Sequence, residues 1–217
     1  MKQINHTSLS EPIYESLKAL IIKKELKPGE KLVQEKIALQ LGVSRTPLML
    51  ALQRLEHEHL VERIPRRGMF VRDFSVKEMI EVYYCRESIE CMAVRLATLR
   101  ADKKDINNLN QLFVPFTKHE ENINTEKYKL ADEKFHFTII ELSKNTILQK
   151  MSKLSQVLSM VNSLGLLRSP QDTLAEHISI IKAMQEGDAE KAELLMKEHI
   201  RLSMKLLQDL NTKNTSE

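Results

Sequence analysis

The chain has 217 residues, of which 42% are hydrophobic and 29% charged, and its formal net charge is +3. This length allows one large domain or two modest ones, and this composition excludes a disordered protein. No apolar run approaches the roughly 18 residues of a membrane-spanning helix, and the N-terminus lacks the apolar region of a secretory signal, so we expect a cytoplasmic protein with no membrane partner.

The first 60 residues have the pattern of three helices around a tight turn. Apolar residues recur on one stripe over 10–26, which predicts a first helix. A short second helix over 33–41 is stopped by Gly42, a residue that tolerates the left-handed conformation at a helix end. Ser44 caps a third helix, whose buried face is formed by Leu48, Ala51, Leu52 and Leu55.

A small β-hairpin is predicted after the third helix, with strands over 60–64 and 69–72 joined by the basic tip Pro65-Arg66-Arg67-Gly68. Three helices and such a hairpin are typical of a winged helix-turn-helix, whose third helix enters the major groove of DNA. Residues 1–74 carry 13 Lys and Arg against 9 Asp and Glu, whereas the remainder carries 20 against 21. The sequence therefore predicts a DNA-binding domain over 1–74, although Arg66 and Arg67 could also form a plain solvated turn.

From Ser75 onward the pattern predicts helices only. Ser75 and Glu78 form a capping box for a long helix that ends near Arg100. Further helices are predicted over 102–114, 125–143, 146–166, 172–186 and 188–211, with breaks at Pro115, Asn145, Ser169-Pro170 and Gly187-Asp188. The predicted fold class is mainly α, with a winged helix-turn-helix followed by an all-helical bundle over 75–217.

The N-terminal motif resembles the DNA-binding domain of the GntR family of bacterial transcription regulators. The resemblance rests on Leu41-Gly42-Val43-Ser44-Arg45-Thr46-Pro47-Leu48, on Ala51-Leu52-Gln53-Arg54-Leu55-Glu56 and on Arg67-Gly68-Met69-Phe70-Val71. It implies that double-stranded DNA is contacted by Ser44, Arg45, Thr46, Arg54 and the wing residue Gly68. Arginine can bind guanine edges bidentately, so Arg45 suits base contacts, whereas Ser44, Thr46, Arg66 and Arg67 suit phosphates.

The chain departs from the GntR pattern at the recognition helix. Met49 and Leu50 stand where the family usually has Arg-Glu, so one DNA-contacting arginine is missing. Glu35, in the preceding helix, stands where some relatives carry another arginine. We therefore expect an operator sequence that differs from those of relatives that keep both arginines.

The C-terminal half resembles the effector domain of the FadR branch of this family, the FCD domain, over about 77–210. The resemblance rests on Tyr83-Tyr84-Cys85-Arg86-Glu87-Ser88-Ile89-Glu90, Asp132-Glu133-Lys134-Phe135-His136, Glu176-His177-Ile178 and the run from Gly187 to His199. It implies that a divalent metal is bound by Asp132, His136, His177 and His199. It also implies that Arg86 faces the effector pocket, where its guanidinium can hold a carboxylate.

Residue spacing supports the metal site independently of the resemblance. Asp132 and His136 are four residues apart and share one helical face. His177 and His199 lie about 15 and 18 Å from the turn at Gly187, so they are nearly level if the two helices run antiparallel. One carboxylate and three imidazoles suit Zn best, then Ni, Co, Fe or Mn. The alternative is that these are ordinary core or surface residues.

Two glutamates near these motifs, Glu90 and Glu176, receive no role from the sequence and are expected to be helix-surface charges. The alternative for Arg86 is then a solvent-exposed ion pair with Glu90, four residues later on the same helix.

The sequence thus predicts a homodimeric transcription regulator that binds a near-palindromic operator and responds to a small organic acid held at the metal. By analogy, repression that the ligand relieves is the commoner arrangement. Two alternatives stay open: a metal-dependent enzyme tethered to DNA, and a metal-free dimeric DNA-binding protein. We expect no enzyme, because no general base with convincing spacing accompanies the metal ligands.

Overall fold

The computed structural model describes residues 7–117, 123–155 and 165–214, and it divides into two compact units, Met1–Phe74 and Ser75–Glu217. The elements of the first unit are α1 (Thr7–Ile22), β1 (Lys31–Leu32), α2 (Gln34–Leu41), α3 (Arg45–His57), β2 (Val61–Ile64) and β3 (Gly68–Val71).

The turn between α2 and α3 forms as its residues predict. Gly42 ends α2 with φ 63°, and its backbone N–H donates to the carbonyls of Ala38 and Leu39. Ser44 stands at the cap position of α3 in an extended conformation, but its side chain accepts no capping hydrogen bond. The side-chain bond expected of the Ser44 cap is therefore absent, and its hydroxyl stays available on the exposed start of α3.

The hairpin is part of a three-stranded antiparallel sheet in which β3 lies between β1 and β2. Val61 pairs with Val71 and Ile64 with Gly68 across the predicted hairpin. The additional strand β1 was not predicted, because two residues are too few to show the alternation that marks a strand. Arg66 and Gly68 have φ of 63° and 107°, which fold the tip into its tight turn.

The core of the first unit lies under α3. Leu48, Leu52 and Leu55 are completely buried and pack with side chains from α1 and the sheet, among them Tyr14 and Met69. The buried face of α3 is the predicted one. Its opposite face, which begins at Arg45, therefore remains in solvent.

The second unit is all-helical in its described residues, which confirms the predicted fold class. Ser75 and Glu78 form the predicted capping box at the start of the first long helix. The helices are α4 (Val76–Arg100), α5 (Lys103–Thr117), α6 (Thr125–Leu142), α7 (Thr146–Ser155), α8 (Pro170–Glu186) and α9 (Ala189–Asn214).

Two predicted boundaries need comment. Pro115 does not separate two helices but lies inside α5, two residues from its end, so it disrupts only the last turn. The helix predicted over 146–166 is described to Ser155, and residues 156–164 lie outside the described residues. Residues 165 and 166 are not helical, so the predicted end at 166 is wrong.

Helix packing in this unit brings α6, α8 and α9, which each carry one histidine of the predicted metal site, close to one another. α4 packs along α9 and also against α6, and α8 packs against α5, α6 and α9. Gly187, with φ 75°, ends α8 and lets the chain turn directly into α9. None of the helices in the described ranges has the length and hydropathy that crossing a bilayer requires.

Truncation of the core leucine Leu52 tests the packing of the first unit. We expect Leu52→Ala to lower the free energy of unfolding of this unit by about 2 to 5 kcal/mol, because the side chain is completely buried and a cavity would remain. Leu39→Ala, at a position that is 84% exposed, is the matched control and should change it by less than about 0.5 kcal/mol. Urea unfolding followed by circular dichroism measures both, and equal effects would contradict the described core.

Candidate metal centre and DNA-facing residues

Three buried histidines converge in the core of the helical unit. His136 comes from α6, His177 from α8 and His199 from α9, and one donor nitrogen of each lies within 4.8 Å of the other two. All three side chains are at most 4% exposed. Histidine is an uncommon residue to bury completely, and three together need a chemical reason.

The outer ring nitrogen of each histidine meets an oxygen. His136 Nδ1 lies 2.5 Å from Glu90 Oε2, and His199 Nδ1 lies 2.7 Å from Glu176 Oε2. His177 Nδ1 lies 3.0 Å from the hydroxyl of Tyr128, which in turn is 2.8 Å from Thr173 Oγ1. Metal-binding histidines usually donate their second N–H to a carboxylate or another oxygen, which fixes the ring and its tautomer.

The inner nitrogens lack partners of their own. His136 Nε2 and His177 Nε2 are buried and have no hydrogen-bond partner among the described residues, and the close contact of His136 Nδ1 with Glu90 Oε2 does not have hydrogen-bond geometry either. Asp132 Oδ1 lies 3.4 Å from His177 Nε2 and 3.9 Å from His136 Nε2. Ligands about 2.1 Å from one ion are about 3.0 to 4.2 Å apart, so these donors fit a divalent cation with small adjustments.

Electrostatics keep His177 and His199 neutral and the carboxylates of Glu90 and Glu176 charged. Burial, followed by the neighbouring histidines, holds the pKa of His177 well below its usual range. Burial also lowers the pKa of His199, although the hydrogen bond that His199 donates to Glu176 acts in the opposite direction. Burial alone would raise the pKa of Glu90, but Arg86 and His136 outweigh it and bring that pKa to about 2. Neutral imidazoles are the form that binds metals.

Aromatic rings enclose the histidines on the side of α5 and α6. Phe113 stacks on His177 with ring centroids 4.7 Å apart, and Phe135 lies at the same distance on another side of it. Both phenylalanines are completely buried. His177 is therefore shielded from solvent by closely packed rings, and this low-dielectric environment strengthens the electrostatic interactions around it.

Arg86 lies in a small cavity beside the histidines. Its Nε donates to Glu90 Oε1 at 2.5 Å, and its Nη1 is 3.4 Å from the Tyr83 hydroxyl. The cavity has a volume of about 30 Å³, and its walls also include Asp132 and His199. The pairing with Glu90 predicted as the alternative exists, but it is buried rather than solvent-exposed, since Arg86 is 5% and Glu90 1% exposed.

Sequence reasoning missed three residues of this centre. Glu90 is not a surface charge, because α6 covers it with His136, and Glu176 is a hydrogen-bond partner of His199. Arg168, which precedes α8, lines the same cavity as Arg86 and binds both carboxylate oxygens of Glu176. A glutamate directly before His177 was the available signal, but only the packing of α8 on α9 reveals its partner.

The residues that the sequence predicts to face DNA on α3 are exposed. Ser44, Arg45 and Thr46 are exposed at the helix start, and Arg45 Nη2 is 2.6 Å from Glu35 Oε1 on α2. Arg54 stacks over the Tyr14 ring at 3.6 Å, an arrangement that holds its guanidinium against α1.

The wing and the departure from the family pattern complete this surface. Arg66, Arg67 and Gly68 are exposed in the turn between β2 and β3. Met49 is partly buried and packs against the core, whereas Leu50 is 43% exposed. Met49 therefore contributes to packing and offers no charge to a polyanion.

Comparison with known families identifies both units. Residues 9–71 match the bacterial regulatory proteins of the gntR family, and residues 81–202 match the FCD domain. The chain belongs to the GntR family. Its FCD domain assigns it to the FadR branch, and it is a DNA-binding transcription regulator. The matched families and relatives are transcription regulators rather than enzymes, as predicted.

Relatives match nearly the whole length of this GntR regulator. An HTH-type transcriptional regulator in an unstable DNA locus of Streptomyces ambofaciens is 28% identical over 204 residues, which cover 93% of this chain and 86% of the relative. The transcriptional repressor RspR of Escherichia coli is 24% identical over 98% of this chain and 95% of its own. The structure of Escherichia coli McbR/YncC has the same fold, with a TM-score of 0.74, 22% identity and coverage of 94% and 99%.

Metal analysis tests the histidine cluster. We expect the purified regulator, loaded with Zn²⁺ and dialysed, to retain about one metal per chain, because three imidazole nitrogens converge beside the Asp132 carboxylate. His177→Ala and the isosteric Asp132→Asn should each lose most of it. His57→Ala removes an exposed histidine of the first unit and should retain the metal. Equal metal content in all four proteins would contradict the proposed ligand set.

Proposed function

We propose that this regulator binds a divalent transition metal, Zn²⁺ first among the candidates, and that a small carboxylate bound beside the metal changes its affinity for operator DNA. Asp132, His136, His177 and His199 would hold the metal, and Arg86 would hold the carboxylate. The observation that carries the proposal is the convergence of the three imidazoles, each with its Nδ1 near an oxygen, and with Asp132 Oδ1 3.4 Å from His177 Nε2.

The formal charges of the site favour an anion only when the metal is present. The site contains two positive charges, on Arg86 and Arg168, and three negative charges, on Glu90, Asp132 and Glu176. Without metal and with neutral imidazoles its net charge is therefore −1. A divalent cation changes this to +1. A monoanionic carboxylate is then attracted, and a metal is the kind of Lewis acid that its oxygen binds.

The cavity beside Arg86 is too small for an organic acid in its present form. A volume of about 30 Å³ accommodates one or two water molecules but not an organic acid. A carboxylate would therefore have to move cavity walls that are built from α4, α6, α8, α9 and the segment before α8. A ligand that requires a different helix arrangement shifts the protein toward it, typically with a coupling of about 1 to 3 kcal/mol.

On the DNA side, we propose that two copies bind a near-palindromic operator as a homodimer, because two-fold symmetry of the protein matches that of the site. Ser44, Arg45 and Thr46 at the exposed start of α3 would enter the major groove, with Arg54 behind them. Arg66, Arg67 and Gly68 in the wing turn would contact the backbone or the minor groove.

A screen of small carboxylates by thermal unfolding tests the effector part. A monoanionic acid that binds should raise the melting temperature of the Zn²⁺-loaded regulator and have little effect on the metal-free protein, since only the loaded site is positive. Arg86→Gln should abolish the shift while the metal is retained, and Arg95→Gln, an exposed arginine on the same helix paired with Glu193, is the control. A shift of equal size without metal would contradict this charge argument.

Binding-site selection tests the DNA part. We expect Arg45→Ala to lose about 1 to 3 kcal/mol of base discrimination at one position of each half-site. Arg201→Ala serves as the control, because it removes an exposed, glutamate-paired arginine of the helical unit. Unchanged base preference in Arg45→Ala would show that this side chain does not contact a base.

A further inference from the structure

Two parallel chains of contacts connect the cavity to the histidines. In one, Arg86 binds Glu90 Oε1 at 2.5 Å and Glu90 Oε2 lies 2.5 Å from His136 Nδ1. In the other, Arg168 binds both oxygens of Glu176 at 2.6 and 2.8 Å, and Glu176 Oε2 lies 2.7 Å from His199 Nδ1. Both arginines line the same cavity.

We propose that Glu90 and Glu176 are positioning residues that join the anion cavity to the metal ligands, each carboxylate being shared between one cavity arginine and one histidine. This inference rests on the proposed metal-binding function and adds a linkage to it. The two carboxylates fix the rings so that Nε2 faces the centre, and they make the occupancy of the cavity affect the strength of the histidine ligands.

The physical basis is competition for the negative charge of each carboxylate. A carboxylate that accepts from Nδ1–H makes the opposite ring nitrogen a better metal ligand. While the arginine also binds that carboxylate, it withdraws part of the charge. An anion in the cavity would attract the arginine toward itself and leave more of the charge to the histidine, so anion and metal would strengthen each other's binding reciprocally.

The two arginine–glutamate pairs differ in burial, so a substitution in one of them disturbs the fold less than a substitution in the other. Glu90 and Arg86 are almost completely buried, with side-chain exposures of 1% and 6%. Glu176 and Arg168 are partly open, at 23% and 13%. Substitution at Glu176 is therefore the milder change, and it decides the outcome alone if Glu90→Gln fails to fold.

The first measurement is Zn²⁺ affinity, by competition with a chromophoric chelator and without added organic acid. Glu90→Gln and Glu176→Gln should bind about 10- to 100-fold more weakly than the unaltered regulator. Glu87→Gln is the matched control, because it removes a carboxylate of α4 that binds Arg201 through two hydrogen bonds but faces no histidine of the cluster. It should bind Zn²⁺ within about twofold of the unaltered protein.

The second measurement separates a shared carboxylate from a simple effect of positive charge. Arg168→Gln should tighten Zn²⁺ binding by roughly threefold or more when Glu176 is present, because the carboxylate then serves His199 alone. In the Glu176→Gln background the same change should have less than about a twofold effect. A long-range electrostatic effect of the arginine would instead be equal in both backgrounds.

The outcomes distinguish this inference from the proposed function. Zn²⁺ binding by the unaltered regulator together with equal affinity in Glu90→Gln, Glu176→Gln and Glu87→Gln would overturn the inference and leave the metal site standing. Equal effects of Arg168→Gln in the two backgrounds would overturn the linkage. Absence of Zn²⁺ binding in the unaltered protein would overturn both. The absorption spectrum of the Co²⁺-loaded variants should also change, whereas a loss of fold stability alone would leave it unaltered.

Discussion

The burial of three imidazole rings against one another is the constraint on which the helical unit depends. A buried polar atom without a partner costs a large share of a protein's marginal stability. Oxygens of Tyr128 and Glu176 hydrogen-bond the outer nitrogens of His177 and His199, and Glu90 Oε2 lies 2.5 Å from that of His136. Nε2 of His136 and of His177 has no hydrogen-bond partner among the described residues, and a cation between these nitrogens would satisfy both.

Tertiary packing brings the three histidines together, whereas local sequence signals determine the helices on which they lie. α6, α8 and α9 each contribute one histidine, and the glycine turn between α8 and α9 places two of them level with each other. The stacked Phe113 excludes water from one side, whereas the cavity with Arg86 opens on another. The histidines thus have apolar rings on one side and a polar cavity on the other. Ligand sites commonly combine an apolar lining with a few placed polar groups.

Sequence reasoning predicted the elements well wherever one residue determines the local conformation. Gly42 and the Ser75–Glu78 capping box mark helix boundaries in the sequence as clearly as in the structure. The two-residue strand β1 escaped notice because its existence depends on pairing with β3, some 38 residues away. The three histidines that converge could be named in advance from their spacing, but the contacts of Glu90, Glu176 and Arg168 could not, because each of these residues has its partner on another element.

X-ray absorption spectroscopy of the Zn²⁺-loaded protein tests whether three imidazoles and one carboxylate share a single cation. We expect scattering from three imidazole rings at about 2.0 to 2.1 Å from the metal, with oxygen completing the shell. A spectrum that contains one imidazole or none would contradict it, since the ion would then lie elsewhere and the three rings would be ordinary core residues.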